Sequence, residues 1–552
     1  MSKLSSNTSA RIGVRLLAMF CAISWGIGGG LPTLAQVPPG GSVSAKDFGA
    51  KGDGVTDDRA AIQAAIDSVT SGVVYFPPAS AGYLITPAPD KKTFLALKSN
   101  VQLIGIGNPV LRVADRSAPY DSVIAAYSCD DCAVQDLTID SNISSNPIKD
   151  RSEIYTHPRF ELTFASGRRI RVERVTIKNS SALNSIVSGI PVSDITITHC
   201  LFTGNGDDPN HIAHDHSALY IHADGAVIQG NVFTAVRRGA PATGTAIETH
   251  GSGIAVTGNV ITDYAGGMNL TGAAPSDSVG NIVSGNTIRG ALSGIGIWSS
   301  TYGGHLTGYG INGLSITGNT IAINQSSYAS PRTAGIAIEP NASMPIANVI
   351  ISNNVITFDL ERTPRPASSA SMGIGWWSTV GQTAENLIIA NNIIDNAPVA
   401  GIRLVAAIRG CRVSGNIIRN AGSSLDSTIP AGYKTPIFIA GSPANDVEIA
   451  DNQIIDNLEP SRMRVALLLA TTKGKSTGLR VRNNSVSVFA VDRGSFSSYV
   501  EILDDSTVPL LTAAWDDFVV PARRFAAGSE VIDSKNGDRW RAGADGKMSR
   551  SQ

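Results

Sequence analysis

One recurring phrase constrains this chain more than any other feature. It reads "ITITHCLF" (195–202), "AVIQGNVF" (226–233), "IAVTGNVI" (254–261), "NIVSGNTI" (281–288) and "LSITGNTI" (314–321). It continues as "VIISNNVI" (349–356), "LIIANNII" (387–394), "CRVSGNII" (411–418), "VEIADNQI" (448–455) and "LRVRNNSV" (479–486). The marker asparagines, 231, 259, 286, 319, 354, 392, 416, 452 and 484, are spaced by 28, 27, 33, 35, 38, 24, 36 and 32 residues. Each phrase alternates apolar and polar residues, meets a Gly-Asn or Asn-Asn corner, and resumes alternation. That is the pattern of two short strands joined by one sharp turn. Asn tolerates the left-handed backbone such a corner needs. Repeated once per unit, these asparagines are expected to stack and hydrogen-bond along the repeat axis, a structural role.

A third strand lies upstream in each unit: "ALYIH" (218–222), "AIETH" (246–250), "GMNLT" (267–271), "GIGIW" (294–298), "GIAIE" (335–339), "GIGWW" (373–377) and "GIRLV" (401–405). Three short strands per unit, of irregular length and without helical periodicity between them, predict an all-β parallel β-helix. Such a solenoid buries one continuous apolar column, and its variable spacing is absorbed in loops. With 56 glycines and 16% charged residues, the composition suits many tight turns. A net charge of −1 leaves no electrostatic footprint for nucleic acid.

Lys3, Arg11 and Arg15 precede an apolar stretch (16–31) and small residues ending at Ala35, the layout of an export signal over 1–35. The expected organisation is this signal, a β-helix with its N-terminal cap over 42–505, and a C-terminal appendage over 506–552. The protein is therefore expected to be secreted or periplasmic, with no membrane association once the signal is cleaved. Cys129, Cys132, Cys200 and Cys411 follow the signal; "CDDC" has no second pair at zinc-ligand spacing, so buried thiols or one disulfide are expected.

"SAKDFGAKGDGVTDDRAAIQAAIDS" (44–68), followed by "GVVYFPPASAGYLI" (72–85), closely resembles the N-terminal signature of the pectate-lyase-like superfamily. That group of right-handed parallel β-helices includes pectin-active hydrolases related to glycoside hydrolase family 28, alginate epimerases and phage tailspikes. Thr56 reads as the N-cap of a helix covering the open end of the column, where bare strand edges would otherwise be exposed.

If Leu219, Ile221, Ile247 and Thr249 point inward, alternation places Tyr220, His222, Glu248 and His250 outward. His222 and His250 each lie nine residues before their asparagine, so the four are expected to form one solvent-facing patch. Asn269 and Thr271 continue it, then Trp298, Glu339 and Trp377. Six of the eight histidines fall within 199–250, and a neighbouring loop supplies Asp207, Asp208, His211, His214, Asp215 and His216, with Arg237 and Arg238 nearby. Exposed indoles suit stacking on sugar rings. The alternative is an ordinary solvated strand face. The spacing of His211, His214, His216 and His222 matches no defensible zinc motif.

Two reactions fit such a patch. In elimination or epimerisation of an acidic glycan, His222 or His250 would take the C5 proton and Tyr220 would act as acid. Arg237 or Asn269 would neutralise the sugar carboxylate. In glycoside hydrolysis, Glu248 would be the acid and Asp215 the base or nucleophile. "IETHG" resembles the acid-x-His element of alginate C5-epimerases, with Glu248 and His250 in its two places. Thr245 stands where that element carries a tyrosine, and Tyr220 on the adjacent coil would substitute. The paired-aspartate and Gly-His-Gly motifs of family 28 are missing, as are clustered calcium-binding aspartates; no cofactor is demanded, and Ca²⁺ stays open. The expected partner is a polysaccharide, bound near Asn269, Arg237, Trp298 and Trp377. The competing expectation is a non-catalytic glycan-binding or tailspike-like adhesion protein, with a self-associating rod behind it. Oligomeric state is left open.

Overall fold

The structure, a computed structural model, describes the chain from residue 41 onward. It leaves out residue 91 and the segments 206–208, 211, 213–214, 236–243, 273–276, 299–309, 324–332, 340–345, 360–370, 378–382, 423, 425–433, 441–443, 459–464, 472–479 and 489–497, and parts of 505–552. The expected export signal lies outside the described residues.

Three parallel sheets of 15, 15 and 14 strands run the length of the repeat, each strand pairing with its counterparts one coil earlier and one coil later. The recurring phrase supplies a strand of the first sheet, a corner, and a strand of the second, as in Ala255–Thr257 and Val260–Thr262. The upstream motif supplies the third sheet. The result is a parallel β-helix. Its inward residues form one core: Val256, Val283, Ile316, Ile351 and Ile389, stacked along the first sheet, are all fully buried. Each such side chain contributes about 1.5–3 kcal/mol of burial.

The corner differs from expectation in one respect. The left-handed residue is the one before the marker asparagine: Gly258 (φ 62°), Gly285 (φ 65°) and Asn353 (φ 56°), for example. The marker itself turns inward. The amide of Asn231 donates to the Oδ1 of Asn259 at 3.0 Å, Asn259 donates to Asn286 at 2.9 Å, and the chain of bonds continues through 319, 354, 392 and 416 to 452. Asn452 donates to Asn484 at 2.8 Å. Each Oδ1 also takes the backbone N–H of the preceding marker, as Asn286 does from Asn259. Buried corner donors are thereby satisfied coil by coil.

At the N-terminal end, helix α1 (Arg59–Ser68) buries Ile62, Ala65 and Ile66 in the core. Its N-cap is Asp58, a correction to the expected Thr56. Asp58 instead accepts N–H groups of Lys51 and Gly52, while Thr56 donates its hydroxyl to Asp53. A second helix, α2 (Arg151–Thr156), projects from a later coil. Cys129 and Cys132 form a disulfide, and Cys200 and Cys411 are buried thiols. Beyond the last coil, Leu511–Ala513, Glu530–Asp533, Arg539–Ala542 and Met548–Ser551 form a small four-stranded sheet. Among the described residues no helix is long and apolar enough to cross a membrane.

A glutamate lies inside the column. Glu161 is fully buried and accepts the hydroxyls of Ser141 (2.5 Å) and Ser180 (2.7 Å). Burial pushes its carboxyl up to about 7, against the pull of those hydroxyls.

Nine consecutive strands of the third sheet are β1 (Thr93–Ala96), β2 (Ser122–Ala126), β3 (Phe160–Phe164), β4 (Asn184–Ser188), β5 (Ser217–His222), β6 (Thr245–His250), β7 (Gly266–Thr271), β8 (Ser293–Trp298) and β9 (Ala334–Glu339).

Candidate functional site

Strands β5 and β6 pair Leu219 with Ile247, Tyr220 with Glu248, Ile221 with Thr249 and His222 with His250. Leu219, Ile221, Ile247 and Thr249 are buried in the column, as alternation requires. On the outer face the other four residues meet. The Tyr220 ring lies 5.2 Å from that of His222 and 4.8 Å from that of His250, and the two imidazoles stack at 4.1 Å. His250 Nε2 donates to Glu248 Oε1 at 3.1 Å. The Ser217 hydroxyl donates to Glu248 Oε2 at 2.8 Å.

The expectation that all four stand in water is corrected. His222 and His250 are only 4% and 3% exposed, while Tyr220 and Glu248 remain half-buried. The imidazoles pack on each other and against Tyr220, and that ring-on-ring contact takes them out of solvent. Burial, reinforced by the adjacent His250, pulls the His222 imidazole down to about 3, so it is a neutral base at ordinary pH. Glu248 orients the His250 ring through Nε2.

The neighbouring strands extend the patch in the expected register. Glu248 pairs with Asn269 and His250 with Thr271; Thr271 pairs with Trp298, and Trp298 with Glu339. Asn269 donates an amide hydrogen to Thr245 Oγ1 at 3.2 Å. Trp298 is 46% exposed and folds back over Gly296. A Cβ there would stand 2.7 Å from the indole Nε1 and 2.9 Å from Asn269 Oδ1. A glycine at 296 therefore lets the indole lie flat on the sheet beside Asn269.

Other expected site residues are placed differently. Asp215 is exposed, and its backbone N–H donates to the Tyr155 hydroxyl of α2 at 3.2 Å. His216 is buried; its Nδ1 donates to Ala182 O at 2.8 Å and its ring stacks on Tyr264, a structural position. Arg237 and Arg238, with Asp207, Asp208, His211 and His214, lie outside the described residues, as does the side chain of Trp377 in the strand Met372–Trp377. Among the described residues no group of three or more His, Cys, Asp or Glu is arranged to hold a metal ion. Ser217 was not singled out from the sequence. It pairs with Thr245 at the strand entry, where alternation breaks, and so it escapes a period-two reading.

Residues 42–269 match the family described as rhamnogalacturonase A/epimerase, pectate lyase-like, and residues 185–383 match the right-handed β-helix region. The tailspike protein of E. coli bacteriophage HK620 in complex with a pentasaccharide superposes with a TM-score of 0.61 at 16% identity. The match covers 84% of this chain and 78% of the tailspike. At that identity the likeness concerns the fold. The class is thus a right-handed parallel β-helix, the hand that parallel crossover connections adopt. The chain belongs to the pectate-lyase-like superfamily. Among characterised relatives, mannuronan C5-epimerase AlgE6 of Azotobacter vinelandii is 34% identical over 146 residues, 25% of this chain and 16% of that protein. Alginate lyase 7 of the same organism is 39% identical over 107 residues, 18% of this chain and 12% of that protein. The chain thus aligns with a small part of each relative's length.

Proposed function

We propose that this chain is an exported polysaccharide-active enzyme that moves the C5 proton of a uronic acid residue bound on the outer face of β5–β8. The observation that carries this reading is the Glu248–His250 bond with Tyr220 and His222 packed against the same imidazole. Proton abstraction next to a carboxylate needs a neutral base, an acid on the other side, and a donor for the carboxylate whose charge grows. His250, oriented by Glu248, supplies the base, and His222, held neutral by burial, packs against it. Tyr220, half-buried at the patch, supplies an O–H. Asn269, one strand on, supplies an amide donor.

The proton leaves C5 to the histidine base. Delivery of a second proton, from the Tyr220 hydroxyl, to the opposite face inverts C5; if that proton goes instead to the C4 oxygen as the C4–O bond breaks, an unsaturated sugar results. The two outcomes share their first step. Hydrolysis fits less well, because it needs two carboxylates flanking the bond. Both Glu248 oxygens are engaged, by Ser217 and His250. The names of the epimerase and lyase relatives point toward the same chemistry.

A panel of uronate and neutral glycans tests this. Solvent-hydrogen exchange at C5, or ultraviolet absorbance from an unsaturated product, is the expected result. Release of reducing ends with neither exchange nor that absorbance would support hydrolysis. Binding with no bond change would support a glycan-binding protein, the reading that the pentasaccharide-bound tailspike fold favours.

A further inference from the structure

A second exposed aromatic ring lies on the same face, on the opposite side of the cluster from Trp298. Phe164 pairs with Ala126 and with Ser188, and Ser188 pairs with Ile221. One residue further on, the next outward row runs Tyr127, Ala165, Gly189, His222. The backbone bonds Ala165 N–H to Ala126 O and Gly189 N–H to Phe164 O (both 2.9 Å) carry the pairing to that point. From His222 the row continues to His250, Thr271 and Trp298. Six strand spacings of about 4.8 Å put Tyr127 about 29 Å from Trp298, with the histidine pair between them.

Tyr127 is 60% exposed. Its hydroxyl bonds Thr93 Oγ1 at 2.9 Å, and Thr93 lies at the start of β1. That bond requires the ring to lie back across the sheet instead of standing in solvent. Ala125, on the outer face beneath this path, is buried. Trp298 lies down over Gly296 in the same way. Between Tyr127 and the histidines the row is low: Ala165, then Gly189, where a Cβ would come 2.7 Å from Ala165 O. Two flat aromatic platforms, joined by a shallow floor and the reactive cluster, are suited to sugar rings spaced along one chain.

We infer that the third sheet carries a linear glycan track reaching from Trp298 past the cluster to Tyr127, and that Tyr127 is a sugar-stacking subsite. The ligand class is an extended polyuronate, so the protein favours long chains over short ones. This rests on the uronate reading above.

The test compares kcat/KM on polymannuronate and on its tetrasaccharide, too short to touch both rings, for the wild type, Tyr127→Ala and Tyr127→Trp. The track predicts a roughly tenfold loss on polymer for Tyr127→Ala. It should be carried by KM with kcat unchanged, with the tetrasaccharide rate intact and polymer activity kept by Tyr127→Trp. The tetrasaccharide rate doubles as the folding control. If Tyr127→Ala matches the wild type on both substrates, or loses both equally, the track is wrong while the uronate reading stands. If the wild type neither binds nor turns over polyuronate, both fall.

Discussion

Glu161 and Glu248 lie on the same sheet, on β3 and β6, and each accepts a serine hydroxyl. Their surroundings part from there. Glu161 points into the column, among Ser141, Ser180 and Ser185, and burial holds it near half-protonation at neutral pH. Glu248 lies on the outer face, half-buried, and its second oxygen takes an imidazole N–H. Among the described residues the first glutamate is bound by serine hydroxyls. The second is bound by a serine hydroxyl and an imidazole. Exposure and partner type, more than residue type, separate a structural carboxylate from a chemical one.

That contrast can be broken experimentally. The largest effect is expected from His250→Gln, which should lower kcat by about a thousandfold, within the range of acid–base catalysis, with Tm unchanged. Glu161→Gln, assayed at pH 6, should leave kcat as it is. Equal losses in the two variants would erase the distinction.

The next effect concerns stability. Glu161 has its folded value raised from 4.5 to about 7. Its contribution is full below pH 4.5 and is lost as pH rises from 4.5 to about 7, because only the unfolded chain ionises freely there. Glu161→Gln should therefore flatten that slope and stabilise the protein at pH 8, by up to about 3 kcal/mol, in urea titrations at several pH values. Asn319→Ala should cost about 2 kcal/mol in the same titrations. It leaves the N–H and amide of Asn286 and the carbonyl of Val283 without their partner, yet it touches nothing on the outer face.

On the acid side of neutrality a separate limb is expected. His222 is depressed from 6.5 to about 3, so the folded state resists its protonation. Stability should fall as pH drops from 6.5 toward 3, opposite in sign to the Glu161 effect. Tm profiles of His222→Gln should lack that component.

The repeat, its corners and the asparagine stack were legible in the sequence because a solenoid writes the same physical demand once per coil. Nine asparagines needing the same two bonds leave nine copies of one phrase. The Tyr220–Glu248 and His222–His250 pairs were legible too, since register follows from equal distance to the corner. The burial of the two histidines was not, because period-two alternation tells direction but not how outward side chains pack on each other. Ser217 was hidden by the break in alternation at the strand entry. Tyr127 was hidden because it lies three coils before the histidines, ahead of the first recognisable phrase. Glu161 broke the pattern in the other direction: an acid at an inward position, held there by the hydroxyls of Ser141 and Ser180 from neighbouring coils.

The most direct measurement is deuterium incorporation at C5 when polymannuronate is incubated in D₂O with the wild type, with His250→Gln and with Glu161→Gln. The account predicts rapid incorporation with the wild type and Glu161→Gln, and none above background with His250→Gln. Incorporation by His250→Gln at the wild-type rate, or neither incorporation nor an unsaturated product from any uronate with the folded wild type, would contradict it.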